Sequence, residues 1–165
     1  MLLSSLVITS RQVAATSGRL AKIKLLADLL RQATPEEMEL AIAYLSGATR
    51  QAKVGVGWAT LRGARGSGLG ATEAQLQIKD VDQTLDLISK TSGKGSATEK
   101  QKLLTSLFVR ATAEEQDFLF RLMTGELRQG ALEGIMVEAV AKVRDLPADE
   151  VRRAMMLAGN LSAVH

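Results

Sequence analysis

Residues 22–51 read KIKLLADLLRQATPEEMELAIAYLSGATRQ, and residues 100–129 read KQKLLTSLFVRATAEEQDFLFRLMTGELRQ. Laid over each other at an offset of 78, the two stretches need no gap, and twelve of thirty positions are identical. About two identities are expected by chance at average residue frequencies. At an offset of 75, Thr16-Ser17-Gly18 also meets Thr91-Ser92-Gly93. Each copy therefore runs from a Thr-Ser-Gly loop through a basic helix start, an apolar helix and a helix-start signal to a second helix, a glycine and an Arg-Gln pair. Leucines shared by the copies need mean only core packing. The shared Lys22/Lys100, Lys24/Lys102, Gly47/Gly125 and Arg50/Arg128 are under no such constraint. A period near 78 is too long for armadillo or tetratricopeptide units, so two quasi-equivalent lobes are expected rather than a solenoid.

Working outward, the periodicity is helical nearly throughout. Leu20, Ile23, Leu26, Leu29 and Leu30 recur at helical spacing, as do Leu103, Leu104, Leu107 and Phe108. Thr34-Pro35-Glu36-Glu37 has a capping Thr, a first-turn Pro and the Glu of a capping box. Thr112-Ala113-Glu114-Glu115 repeats that signature, and Ser96-Ala97-Thr98-Glu99 is a third. Gly47 and Gly125 stand where the helices after the first two caps stop. Pro147 opens a last helix, with Val151, Met155 and Leu157 or Ala158 inward. The reading is an all-α bundle of about ten helices in two pseudo-symmetric lobes. Lobe one covers about 1–61, a flexible Gly-rich connector 62–71, and lobe two about 72–165.

Composition narrows the function. The 165 residues contain no Cys, and the single His is His165. Thiolate metal sites, a Cys nucleophile and a Ser-His-Asp triad are thereby excluded from the body of the chain. No apolar run approaches the roughly 20 residues of a membrane span. Met1–Ser10 carries no basic n-region, so no signal peptide and a cytoplasmic location are expected. With 46% hydrophobic residues and 3% aromatic, the core is expected from Leu, Ile, Val, Met and Ala.

The net charge is only +3, but its distribution is uneven. Five basic residues and one acid lie between Ser10 and Arg31, four and none between Arg50 and Ala71, and five and one between Lys90 and Arg110. Acids gather at Glu36–Glu39, Glu114–Asp117 and Asp145–Glu150. Such segregation is the footprint of a polyanion-binding surface, although ordinary solvated faces read the same way in isolation. Each Thr-Ser-Gly loop precedes a helix whose first turn offers free N–H groups and the positive end of a dipole. Lys22 and Lys24, or Lys100 and Lys102, add charge one turn in. Arg50 or Arg128 follows the glycine at the far end. Taken singly, these are plain caps and dipole partners; their joint repetition favours paired grips on duplex DNA, whose strands are themselves related by two-folds.

Gly55–Gly70 is not a nucleotide loop, because Thr60 stands where a dinucleotide fingerprint needs Gly. Gly93-Lys94 lacks the upstream Gly of a P-loop. Trp58 reads first as core and otherwise as a stacking ring. Met155 and Met156 read as core fillers or a docking edge.

The segment Lys100–Val143, with its core Phe118-Leu119-Phe120-Arg121-Leu122-Met123-Thr124-Gly125-Glu126-Leu127-Arg128-Gln129-Gly130, resembles the N-terminal DNA-binding domain of ATP-dependent DNA ligases. Gly55–Leu61 and Ala154–Leu161 resemble bacterial members, and the likeness runs over nearly the whole chain. One departure is Asn160, where similar sequences often carry Asp. The resemblance implies a helical, internally pseudo-symmetric domain that binds the minor groove on both sides of a nick, without sequence specificity. It forms one part of a clamp completed by adenylation and oligonucleotide-binding domains. DNA contacts then fall on Ser17, Gly18, Lys22, Gly47 and Arg50 in lobe one. In lobe two they fall on Ser92, Gly93, Ser96, Lys100, Lys102, Gly125, Arg128 and Gly130. The family's Lys-x-Asp-Gly motif is absent, Lys79-Asp80-Val81-Asp82 being the nearest text. A monomeric domain is expected, with no catalytic residue, cofactor or metal of its own. ATP and Mg²⁺ are expected for the parent ligase, which serves replication, repair or recombination. Its adenylation domain and nicked duplex DNA are the expected partners. The alternatives are a helical protein-interaction scaffold and, more remotely, a small hydrolase or transferase.

Overall fold

The computed structural model describes residues 1–51, 54–66, 70–127 and 131–158. Among them lie nine α-helices: α1 (Leu3–Ala15), α2 (Arg19–Leu30), α3 (Pro35–Leu45), α4 (Trp58–Arg65), α5 (Ile78–Lys90), α6 (Ser96–Arg110), α7 (Ala113–Thr124), α8 (Ala131–Arg144) and α9 (Ala148–Ala158). The only extended pairing among these residues is an isolated antiparallel bridge, Leu2 to Gln77. The fold is all-α, as the periodicity implies.

Local chemistry repeats at matching positions. The amide of Thr34 donates to Glu37 at 2.9 Å and the amide of Glu37 returns to Thr34 Oγ1 at 3.3 Å. Thr112 and Glu115 form the same box at 2.8 and 3.3 Å. Gly47 and Gly125 have φ of +82° and +83°, the left-handed conformation that ends a helix cheaply only at glycine. The loop threonines act backwards: Thr16 Oγ1 donates to the carbonyl of Gln12 at 2.6 Å, and Thr91 Oγ1 to that of Leu87 at 2.8 Å. They finish α1 and α5 rather than cap α2 and α6.

The third expected box does not form. Ser96 is already the first residue of α6, and Gly95, in left-handed conformation, precedes it with no side-chain cap. Two successive positive-φ glycines, Gly93 and Gly95, turn the chain into the helix with Ser96 past the capping position. A box that the sequence reading did not single out caps α5 instead, from Gln77 and Asp80.

The two copies are interlocked. α1 packs on α2 and α5 on α6 within each copy, but α4 packs on α6, α8 on α2, α3 on α5 and α7 on α1. Exchanging α1–α4 with α5–α8 turns each cross-copy pair into another. The isolated bridge lies on the same symmetry: Leu3 N donates to Leu76 O at 2.8 Å and Ile78 N to Met1 O at 3.1 Å, two bonds related by the offset of 75. One continuous apolar cluster results, with Leu3, Leu6, Leu30, Ile42, Ile78, Leu85, Leu104 and Phe108 at its centre.

The segment read as a connector is partly helix, since α4 extends through Arg65. Leu61 and Ala64 are buried on its inner face. Beyond it, Ala71 N donates to Ala111 O at 2.9 Å. A Cβ at Gly70 would stand 2.3 Å from that carbonyl oxygen, so only glycine fits there. Val151 is buried on α9 as expected; the side chains of Met155–Ala158 lie outside the described residues.

Candidate nucleic-acid interface

At the start of α2, Ser17 is exposed and Gly18 is the N-cap, with no side chain capping the helix. The first helical bond is made by Lys22 N to Gly18 O at 3.1 Å. The amides of Arg19, Leu20 and Ala21 therefore have no acceptor within the helix, as the geometry of a helix start demands. At α6, Ser92 and Gly93 are exposed, and the first helical bond is Glu99 N to Gly95 O at 3.3 Å. Ser96 N turns back to Gly93 O at 3.2 Å, leaving the amides of Ala97 and Thr98 outward.

Beyond these loops the predicted residues divide. Lys22 is half-buried and lines a cleft of about 130 Å³ between α1, α2, α7 and α8. Arg11, Arg121, Glu114, Asp117 and Leu127 line it too. Interlocking thus brings the Lys of copy one into a cleft shared with α7 of copy two. Lys100 meets copy one at a different place: its Nζ donates to Gly55 O at 3.0 Å on the approach to α4. Each lysine thus stands against residues of the other copy. Lys102 is exposed, whereas Lys24 is paired with Asp28 at 2.8 Å.

Arg50 is already engaged within the protein. Its Nε donates to Asp82 at 3.0 Å and its NH2 to Asp86 at 2.9 Å. Gln51 Nε2 reaches both carboxylates at 3.1 Å, and Lys90 adds a bond to Asp86 at 3.2 Å. Hydrogen bonds from Gln51 and Lys90 hold the Asp86 carboxyl below its ordinary range, and Asp82 raises Arg50 further above its own. Arg50 latches α5 to the turn after α3, and its charge is neutralised there. Gly47 is buried as a helix stop. Arg128 and Gly130 lie outside the described residues.

Sequence reasoning missed a cluster on α4. Trp58 is not core: it is 50% exposed. Its ring meets Phe120 edge-on, 5.1 Å between centroids at 73°. The guanidinium of Arg62 sits 5.4 Å from the Trp58 ring centre, and that of Arg65 sits 4.7 Å from Phe120. Arg65 also pairs with Asp117 at 3.4 Å. The acid-free run from Arg50 to Ala71 was the available signal, but the burial of a lone Trp depends on which helix lies over it.

Residues 59–141, half of the chain, match a family described as DNA ligase N terminus. A probable DNA ligase of Rhodococcus jostii is 48% identical over 166 residues, covering 99% of this chain and 32% of that protein. Probable DNA ligases of Anaeromyxobacter and of Mycolicibacterium gilvum are each 49% identical over 164 residues, with the same coverage. The chain spans about a third of the length of these curated relatives. By the extent of that match, the chain belongs to the DNA ligase N-terminus family.

Proposed function

We propose that the chain is the DNA-gripping domain of an ATP-dependent DNA ligase, holding nicked duplex DNA by its backbone and minor groove without reading sequence. The observation that carries this reading is the repeated pair of uncapped, amide-bearing helix starts at Gly18 and Gly95. Each has a lysine close by: Lys22 shares a cleft with α7 of the opposite copy, and Lys100 bonds the carbonyl of Gly55 ahead of α4. Free N–H groups and the helix dipole suit phosphate oxygens, and the lysines supply mobile charge. The two-lobe organisation, and contacts through Ser17, Gly18, Lys22, Ser92, Gly93, Ser96, Lys100, Lys102, Gly125, Arg128 and Gly130, belong to this reading. Gly47 and Arg50 shape the fold on its lobe-one side.

Nucleotidyl transfer lies elsewhere in the parent ligase. Among the described residues no three His, Cys, Asp or Glu side chains group as metal ligands, and the sequence holds no Lys-x-Asp-Gly. The domain works as a monomer on nicked duplex, beside the adenylation domain of its own parent chain. The parent acts in replication, repair or recombination on the nucleoid.

The test is a titration of nicked duplex at two salt concentrations. Backbone binding releases counterions, so affinity falls at least tenfold between about 50 and 200 mM salt. Equal affinity at both overturns the phosphate grip. Duplex left unshifted at low salt favours a protein-interaction scaffold.

A further inference from the structure

Trp58 is the chain's single tryptophan, in a sequence only 3% aromatic, and half of its surface faces water. An indole is among the most costly side chains to leave exposed. Here its position is fixed from several directions. Phe120 meets it edge-on, Arg62 lies over the ring, and Lys100 secures the Gly55 carbonyl three residues earlier. Arg62 has no carboxylate partner among the described residues. Arg65, one turn on, is held over Phe120 and tied to Asp117. No acid occurs between Arg50 and Ala71.

We propose that Trp58, flanked by Arg62 and Arg65, is a stacking platform for unpaired bases of a DNA strand. The occupant follows from the chemistry. A pre-positioned aromatic face beside uncompensated guanidinium suits a ring carrying a phosphate, and every nucleobase presents such a ring whatever the sequence. The run Arg50–Ala71 brings no acid to the rim, and the neighbouring Asp117 is engaged by Arg65 and Arg121, which disfavours a basic protein partner. Lys100 belongs at once to the start of α6 and to the support of this platform, so the unpaired bases lie next to the duplex grip. The inference rests on the DNA-binding reading for its ligand, but adds a contact that intact duplex does not use.

Trp58 makes the test direct, because all tryptophan emission comes from it. Adding (dT)12 at low salt quenches that emission saturably, whereas blunt duplex quenches it far less. With end-labelled DNA read by anisotropy, Trp58→Ala weakens (dT)12 binding roughly tenfold. Trp58→Phe, which keeps an aromatic face, costs less than threefold, and both variants keep wild-type far-UV circular dichroism. Unchanged emission on (dT)12 addition, or wild-type (dT)12 affinity in Trp58→Ala, overturns the platform. Salt-sensitive binding of nicked blunt duplex is measured alongside. If that persists while (dT)12 fails, only the platform falls; if it is lost while (dT)12 still quenches, only the duplex grip falls.

Discussion

The corner where α3 meets α5 and the corner where α7 meets α1 are counterparts under the internal two-fold, yet they are finished differently. At the first, Asp82 and Asp86 of α5 close around Arg50 and Gln51. At the offset of 75 their places in α1 are taken by Val7 and Arg11. Fully buried Leu85 has as its counterpart Ser10, which lines the cleft with Arg11 and Lys22. One corner is a closed, charge-neutral joint, and the other holds a cleft where Arg11, Lys22 and Arg121 stand among Glu114 and Asp117. The two frames are similar, and a few side chains give them different surfaces.

The largest effect expected concerns packing. Leu85→Ala should cost about 3 kcal/mol of stability by denaturant unfolding, because a fully buried leucine leaves a cavity. Ser10→Ala, at the counterpart position beside the cleft, should stay within about 0.5 kcal/mol. Equal losses would erase the distinction between the corners. Next is charge. Arg11→Asp, which places an acid at the counterpart of Asp86, should weaken nicked-duplex binding roughly tenfold near 0.1 M salt, one phosphate contact being worth about that much. Arg50→Ala should change the same affinity less than twofold, since that guanidinium is already satisfied. A larger loss at Arg50 would show that DNA pulls it away from Asp82 and Asp86.

The smallest effect is in acid. Partners in the folded state lower the Asp86 carboxyl relative to the unfolded chain. Its contribution is thus complete above the ordinary carboxylate range and is lost as pH falls through the depressed value. Melting temperature between about pH 5 and pH 3 should therefore fall more steeply in wild type than in Asp86→Asn. Parallel curves would remove Asp86 from the joint.

What was legible beforehand was what neighbours in the chain decide. The Thr34 and Thr112 boxes, the glycine stops and the buried leucine stripes all follow from spacing within a dozen residues, and the repeat follows from comparing two such stretches. Ser96 was misread because Gly93 and Gly95 set the backbone before a side chain could cap it. The ion pairs of Arg50 are not legible in the sequence, because its partners are 32 and 36 residues away and have no acidic counterparts in the other copy. Trp58 was placed in the core because indoles are usually covered, whereas α6 and α7 reach only part of it. The exchange of helices between copies was invisible to any pattern along one copy.

That exchange has a consequence for how the molecule can come apart. Residues 1–66 alone would carry α3 without α5, α4 without α6, and α1 and α2 stripped of α7 and α8. Half the chain is thus not a smaller version of the whole but an unclosed hand waiting for its mate. Loss of order should spread through both halves in a single event, and a tandem gene stands where two separate chains would otherwise have to find and clasp each other.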